Sequence, residues 1–375
     1  MKQSLAILRF LRFLRDCAER GERAALVMLT DVTGSAARAP GEQMAVAESG
    51  RSLGSFSRGC VEAAVIAEAQ EALAEGRARH VRYGDGSRYI DIRLPCGGGI
   101  DLLFTPAPDR RQIDCAIAVL ERREPVTLHR SLDGTVVAAR SRAGDRTLWR
   151  DTIFSVRHDP VLRLVVMGHG AEPTALLDIA RAYGADVTLL SPQASLVGDA
   201  RRKDMLAEHL RFVGRADELV IDPWTAVVTL FHDHDWETPL LLQVLEQRPF
   251  FIGAMGSMKT HVERQRRLLE AGAERDDIAR VVGPVGLIKA TRDPQTLALS
   301  IMAQVVQAYE ATTALEKPRP ESWAMSHPHG FIEHHARSKR HGDALQSETI
   351  VDVDQTVTAD ARYGSKRDEA HAQHI

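Results

Sequence analysis

From residue 161 onward, short apolar runs alternate with helix-like segments, and this alternation constrains the fold more than any other feature of the chain. The runs are RLVVMG, ADVTLLSP, AVVTLF (226–231) and PFFIGAM (249–255). The helical stretches are EPTALLDIARAYG and segments at 238–247, 258–271 and 295–310. Strands separated by helices join as βαβ units, so the pattern predicts a Rossmann-type parallel sheet domain over 161–311. Asp293-Pro294 opens the last helix, with Asp as cap and Pro at the first helical position.

The preceding 160 residues follow another grammar. AALVMLTD (24–31) reads as a buried strand, followed by a Gly/Pro-rich loop, Gly34 to Gly41. Strands at 43–47 and 51–56 flank Ser49-Gly50, a turn signal. Helix formers fill 60–75 and stop at Gly76. Strands at 79–83 and 89–94 lead to Leu94-Pro95-Cys96-Gly97-Gly98-Gly99 and IDLLFTP. These make an N-terminal α/β domain, 1–108. At its start Leu5, Leu8, Leu11 and Leu14 recur at helical spacing, while Arg9, Arg12, Asp16 and Glu19 break the apolar run. A packed amphipathic helix is expected there, not a targeting segment. Residues 109–160 read as a connector, helical over 109–123 and then β-rich, with VTLHRSL and TVVAARS joined at Asp133-Gly134. Residues 312–375 carry seven of the fifteen histidines and few aliphatic residues, and are expected to be mostly disordered. The fold class is therefore α/β, in two domains with a connector and a tail.

Composition removes several function classes. A formal charge of −3 gives no general attraction to nucleic acid or anionic membrane. No run approaches the ~18 apolar residues of a spanning helix. The four cysteines, Cys17, Cys60, Cys96 and Cys115, form no CxxC pair and no disulfide framework. Reduced thiols in a cytoplasmic protein are expected.

The residues that can carry chemistry lie at turns. Gly168-His169-Gly170 follows a strand and opens a helix, where backbone N–H groups can receive a phosphate. Pro173 replaces the third glycine of a dinucleotide fingerprint. Ser191 stands where an acid would read the ribose, and Asp186 sits before that strand. Cys60 follows Arg58-Gly59 at a helix start, which favours its thiolate, and Glu62 opposes that. Cys96 stands in a glycine turn able to form an anion nest. The sequence His232-Asp233-His234-Asp235 suits either a metal or a polar ligand, with Asp235 also a candidate helix cap. Gly253 to Ser257 and Gly283 to Leu287 read as glycine turns after apolar runs.

Taken in order, these phrases resemble one family, the xanthine dehydrogenase accessory proteins of the XdhC/CoxI type. The family's Gly-Ser-x-Pro-Arg-x-Pro-Gly-x-x-Met corresponds to Gly34 through Met44. Its Gly-Gly-Cys-Val-Glu corresponds to Arg58 through Glu62, and its Leu-Pro-Cys-Gly-Gly to Leu94 through Gly98. In the second domain the His/Asp loop, the Gly-x-x-Gly-Ser phrase and Gly-Pro-x-Gly-Leu match His232 to Asp235, Gly253 to Ser257 and Gly283 to Leu287. Ala37 and Arg58 depart from the family's Pro and Gly. The resemblance covers roughly 5–108 and 161–310.

It implies a cytoplasmic chaperone that binds molybdenum cofactor, as molybdopterin or its cytosine dinucleotide form. Such a chaperone protects the cofactor while a cysteine desulfurase partner supplies a sulfido ligand, then inserts it into an apo-molybdoenzyme client. A homodimer stays open. On this reading Cys60 is the first candidate Mo ligand and Cys96 the second, because Mo takes soft sulfur ligands. Arg38 would face the pterin phosphate. Gly168, Gly170, His232, Gly253 and Gly256 would line the cofactor site. Two other readings remain: an NAD(P)-dependent oxidoreductase, from the Rossmann grammar, and a metal-handling protein using the His-rich tail.

Overall fold

The computed structural model describes residues 3–34, 38–57, 59, 61–87, 89, 94, 97–142, 144–217 and 219–314, with side chains from residue 7 to residue 312. The chain begins with α1 (Gln3–Glu19), β1 (Ala24–Thr33), β2 (Gln43–Ala47), β3 (Ser52–Leu53), α2 (Glu62–Glu75), β4 (Arg79–Gly84) and β5 (Gly99–Pro106). These five strands form an antiparallel sheet in the order β3-β2-β1-β5-β4. Both faces are covered, so the central strand β1 is an almost unbroken buried run. Val27, Leu29, Met44 and Val46 pack on one face against Val65, Ala69 and Leu73 of α2.

The other face receives α1 together with α3 (Arg110–Glu121) and a second sheet. That sheet is built from β6 (Val126–Ser131), β7 (Val136–Arg140), β8 (Leu148–Arg150) and β9 (Ile153–His158), in the order β7-β6-β9-β8. Ile7, Leu11 and Leu14 of α1, Leu26, Ile113 and Ile117 of α3, and Val126 and Leu128 share one core. Met28 packs on Phe154 and Val156. The stretch 109–160 thus completes the burial of the first sheet's second face. Strands β8 and β9 were not foreseen. Of the two cysteines outside glycine turns, Cys17 is buried and Cys115 is exposed.

The remainder is β10 (Arg163–Gly168), α4 (Ala171–Tyr183), β11 (Asp186–Ser191), α5 (Ala194–Arg202), β12 (Leu206–His209), β13 (Thr225–Leu230), α6 (His234–Gln247), β14 (Phe251–Ala254), α7 (Met258–Glu270), α8 (Arg275–Ile278), β15 (Val281–Val282) and α9 (Pro294–Ala314). Its six strands pair in parallel in the order β12-β11-β10-β13-β14-β15, the Rossmann order. Helices α4, α5 and α9 cover one face, and α6, α7 and α8 the other. Asp293 accepts the Thr296 N–H at 2.7 Å, as its position before Pro294 predicted. Residues 312–314 of the expected tail are the end of α9, and 315–375 lie outside the described residues. Among the described residues, no helix is long and apolar enough to cross a membrane.

The two halves meet through ions. Arg123, just past α3, donates to Asp222 and to the Val161 carbonyl. Asp186 accepts from Arg163 at 3.0 Å. The acid nearest in sequence to a ribose-reading position is therefore held at the opposite end of its strand.

Candidate functional site

The order of the parallel strands reverses between β10 and β13, and open sheets take ligands in the crevice at such a reversal. Gly168 ends β10 there. A Cβ on it would lie 2.7 Å from the Leu230 carbonyl oxygen of β13, so only glycine lets the strands approach. His169 follows, edge-on to His232 at 6.0 Å between ring centres and 5.8 Å from Phe231. Its Nδ1 is buried and, among the described residues, has no hydrogen-bond partner. Gly170, at φ 94°, caps α4 without a side chain. Its N–H donates to Gln193 Oε1 at 3.1 Å. An exposed amide oxygen thus occupies the position a phosphate oxygen would take. Ser191 is buried and turned back on its own loop, accepting the Gln193 N–H.

Half of the His/Asp segment is helix. His234 and Asp235 lie in the first turn of α6, and the cap is Asp233, which accepts the Asp235 N–H at 2.8 Å. This corrects the assignment of the cap to Asp235. Only His232 and Asp233 remain loop, and both are exposed. Beneath them lies an ion pair that local sequence does not announce. Glu237 and Arg264 are each 1% exposed and meet at 2.8 Å. Glu237 also accepts from Thr229 of β13 at 2.5 Å and lies 3.2 Å from His234 Nδ1. Arg264 donates to the Met255 carbonyl at 2.6 Å and to His261 Nδ1 at 3.3 Å. An arginine can only donate, so His261 accepts at Nδ1. Burial and the Arg264 charge hold the His261 pKa low. The pair ties the His232 loop to the turn after β14.

That turn is shorter than predicted. Gly253 and Ala254 belong to β14, and the missing Cβ of Gly253 makes room for Val285. Gly256, at φ 133°, leads into α7, which Ser257 and Thr260 close with a capping box.

The other candidates gather at the first sheet. The register aligns Thr33 with Gly99 and Gly99 with Gly84, and β2 begins while β3 ends toward the same edge. Gly34 packs against Gly98, its absent Cβ only 3.3 Å from the Gly98 Cα. The three segments carrying Arg38, Cys60 and Cys96 therefore leave one edge of one sheet. Cys60, Cys96 and Arg58 lie outside the described residues. Arg38 is half-buried, near Glu42, whose pKa is raised by burial and opposed by that guanidinium.

Glu62 organises this edge, a role not expected of it. Its carboxylate accepts from Ser55 Oγ and the Phe56 and Ser57 N–H groups on one oxygen, and from Ser57 Oγ and the Gly59 N–H on the other, at 2.6–2.9 Å. Although burial opposes it, these donors bring its pKa down to about 2. Glu62, at the start of α2, thus places its carboxylate inside the loop that precedes it. Replacing Glu62 by alanine frees five donors at once and should cost ~2–3 kcal/mol. Urea unfolding of the variant checks this, and a loss under ~0.5 kcal/mol would mean the loop holds itself.

The structure thus separates the candidates into two groups. Arg38 and the segments holding Cys60 and Cys96 share the first sheet's edge, while Gly168, Gly170, His232, Gly253 and Gly256 line or support the parallel sheet's C-terminal edge. Among the described residues no three His, Cys, Asp or Glu side chains gather as a metal-binding group. His234, a candidate metal ligand, instead faces Glu237.

Comparison with known proteins agrees with this architecture. Residues 17–84 match the XdhC and CoxI family, and residues 164–305 match the XdhC Rossmann domain. The molybdenum cofactor insertion chaperone PaoD of Escherichia coli (strain K12) is 37% identical over 300 residues, covering 80% of this chain and 86% of that protein. A protein of Bacillus subtilis (strain 168), named as a probable xanthine dehydrogenase subunit, is 23% identical over 328 residues, 77% of this chain and 94% of that one. In fold, the chain resembles a crystal structure described as a xanthine dehydrogenase from Bacillus halodurans, with a TM-score of 0.64, 23% identity, and coverage of 84% of this chain and 98% of that one. On the resemblance to PaoD and the two family matches, the chain belongs to the XdhC and CoxI family.

Proposed function

We propose that this protein is a molybdenum cofactor insertion chaperone for an apo-molybdoenzyme of the xanthine dehydrogenase type. The observation that carries the proposal is the 37% identity to a protein named for that activity, sustained over 80% of the chain. The cofactor is cargo here, held and released. Weak, exchangeable contacts therefore suit it better than a closed cage. Cys60 and Cys96, on segments that leave one sheet edge, supply soft sulfur for the metal. Arg38 at the same edge supplies charge for the pterin phosphate. Gly168 and Gly170, with His232 nearby, offer a second anchoring place at the strand-order reversal, where a phosphate would displace Gln193 from the Gly170 N–H. Gly253 and Gly256 shape the neighbouring turn. In this reading a cysteine desulfurase supplies the terminal sulfido ligand while the cofactor is bound, the protein works in the cytoplasm, and the cargo is molybdopterin or its cytosine dinucleotide form.

The test compares wild type with Cys60→Ala and Cys96→Ala. Bound pterin is measured as its fluorescent oxidation product, and insertion as activation of an apo-enzyme. At least one variant is expected to lose most cofactor loading, with an unchanged unfolding midpoint. Full loading and full activation by both variants would overturn the thiolate assignment. Absence of pterin from the wild-type protein, with micromolar NAD(P) binding instead, would overturn the chaperone reading.

A further inference from the structure

The two antiparallel sheets meet over an unusual polar layer. Along β6 and β9, Val126, Leu128, Phe154 and Val156 face inward, and the same alternation turns Arg130 and His158 inward. Arg130 is 0% exposed and His158 1%. Arg130 Nη2 donates to Gln43 Oε1 at 3.0 Å, and the Gln43 amide nitrogen lies 3.2 Å from His158 Nε2. Because arginine only donates, the Gln43 oxygen must face it, and the Gln43 NH2 must face the histidine. His158 Nε2 is then an acceptor, and its proton sits on Nδ1. Arg130 Nε, Arg130 Nη1 and His158 Nδ1 are all buried and, among the described residues, none has a partner. All three are donors.

Among the described residues this buried guanidinium faces only a neutral amide, which leaves its charge uncompensated. Such an ion is normally paired. A water molecule would accept the hydrogen bonds and leave the charge in place; an anion answers both. We propose that the inter-sheet layer is an anion site, in which a chloride-sized monovalent anion sits against Arg130 Nε or Nη1 and locks the second sheet onto the first. Through Gln43, the first residue of β2, the site also holds the exit of the loop that carries Arg38.

The full chain is unfolded in urea while sodium gluconate is exchanged for sodium chloride at constant ionic strength. The midpoint of the wild type is expected to rise saturably with chloride, as for a ligand that binds only the folded state. In Arg130→Met the rise is expected to vanish. If Arg130→Met does not fold, crystals of the wild type grown in sodium bromide decide instead. An anomalous peak within hydrogen-bonding reach of Arg130 supports the site. A wild-type midpoint indifferent to chloride, a chloride response that survives in Arg130→Met, or only water beside Arg130 in the bromide crystal would each overturn it.

Discussion

Replacing Glu237 by alanine is expected to destabilise the protein by ~3–5 kcal/mol, the cost of stranding a buried charge whose partner is removed. The Arg264 guanidinium would keep the Met255 carbonyl and His261, neither of which is negative. Thr229 Oγ1 and His234 would also lose their acceptor. Glu237→Gln keeps the shape but not the charge, so it should recover only part of the loss. The combined Glu237→Leu, Arg264→Met variant should lose less than the two single losses summed, because no ion is left unpaired. Urea unfolding of Glu237→Ala, Glu237→Gln, the double variant and its two single variants gives these values. A loss below ~1 kcal/mol in Glu237→Ala would mean that water reaches Arg264 when the carboxylate leaves. Since the pair links the His232 loop to the turn ending at Gly256, the variants should also load less cofactor if that edge binds it.

The architecture was legible where a pattern repeats within a few residues. The apolar runs from 161 onward predicted a Rossmann-type sheet, and four of its six strands, β10, β11, β13 and β14, lie under them. The other two are short: β15 has two residues, and β12 is an LAEH segment at the sheet's edge with Leu206 exposed. Neither carries a periodic apolar face. The start of α6 was placed four residues late because Pro239 lies inside the helix, and a proline ordinarily marks a boundary. Here the Asp233 cap and the buried Glu237 hold the preceding turn.

The site was only half legible, for a related reason. Glycines at turns announce themselves, but partners 27 residues apart, such as Glu237 and Arg264, do not. Their trace is a charge on an apolar face. Glu237 precedes Leu240, Leu241 and Val244 at helical spacing, and Arg264 precedes Leu268. Arg130 breaks the alternation of VTLHRS in the same way. Opposite charges on two such faces predict a buried pair, whereas one alone predicts a missing partner. The convergence of the Arg38, Cys60 and Cys96 segments needed strand register, which spacing does not give.

Acid should unfold this protein earlier than its carboxylates require, and His158 is the reason. Burial, with a contribution from the Arg130 charge, pushes its pKa down to about 3. In the unfolded chain it returns to ~6.5. The folded value lies below the unfolded one, so the unfolded state takes up the proton first. Stability from this group is therefore intact above about pH 6.5 and falls as the pH drops toward 3. At ~1.4 kcal/mol per unit, the loss is about 2 kcal/mol at pH 5 and levels near ~5 kcal/mol below pH 3. Glu62 acts in a lower window. Its folded pKa of about 2 lies below the unfolded value, so its contribution begins to fade only below ~4.5. His261 is also held low and adds to the loss in the upper window. The wild type must therefore be compared with His158→Gln, whose amide oxygen can accept from Gln43 without titrating. Between pH 7 and 5 the wild type is expected to lose stability more steeply than this variant, the gap reaching about 2 kcal/mol in urea unfolding. Equal slopes in the two proteins would mean that His158 takes up its proton in the folded state.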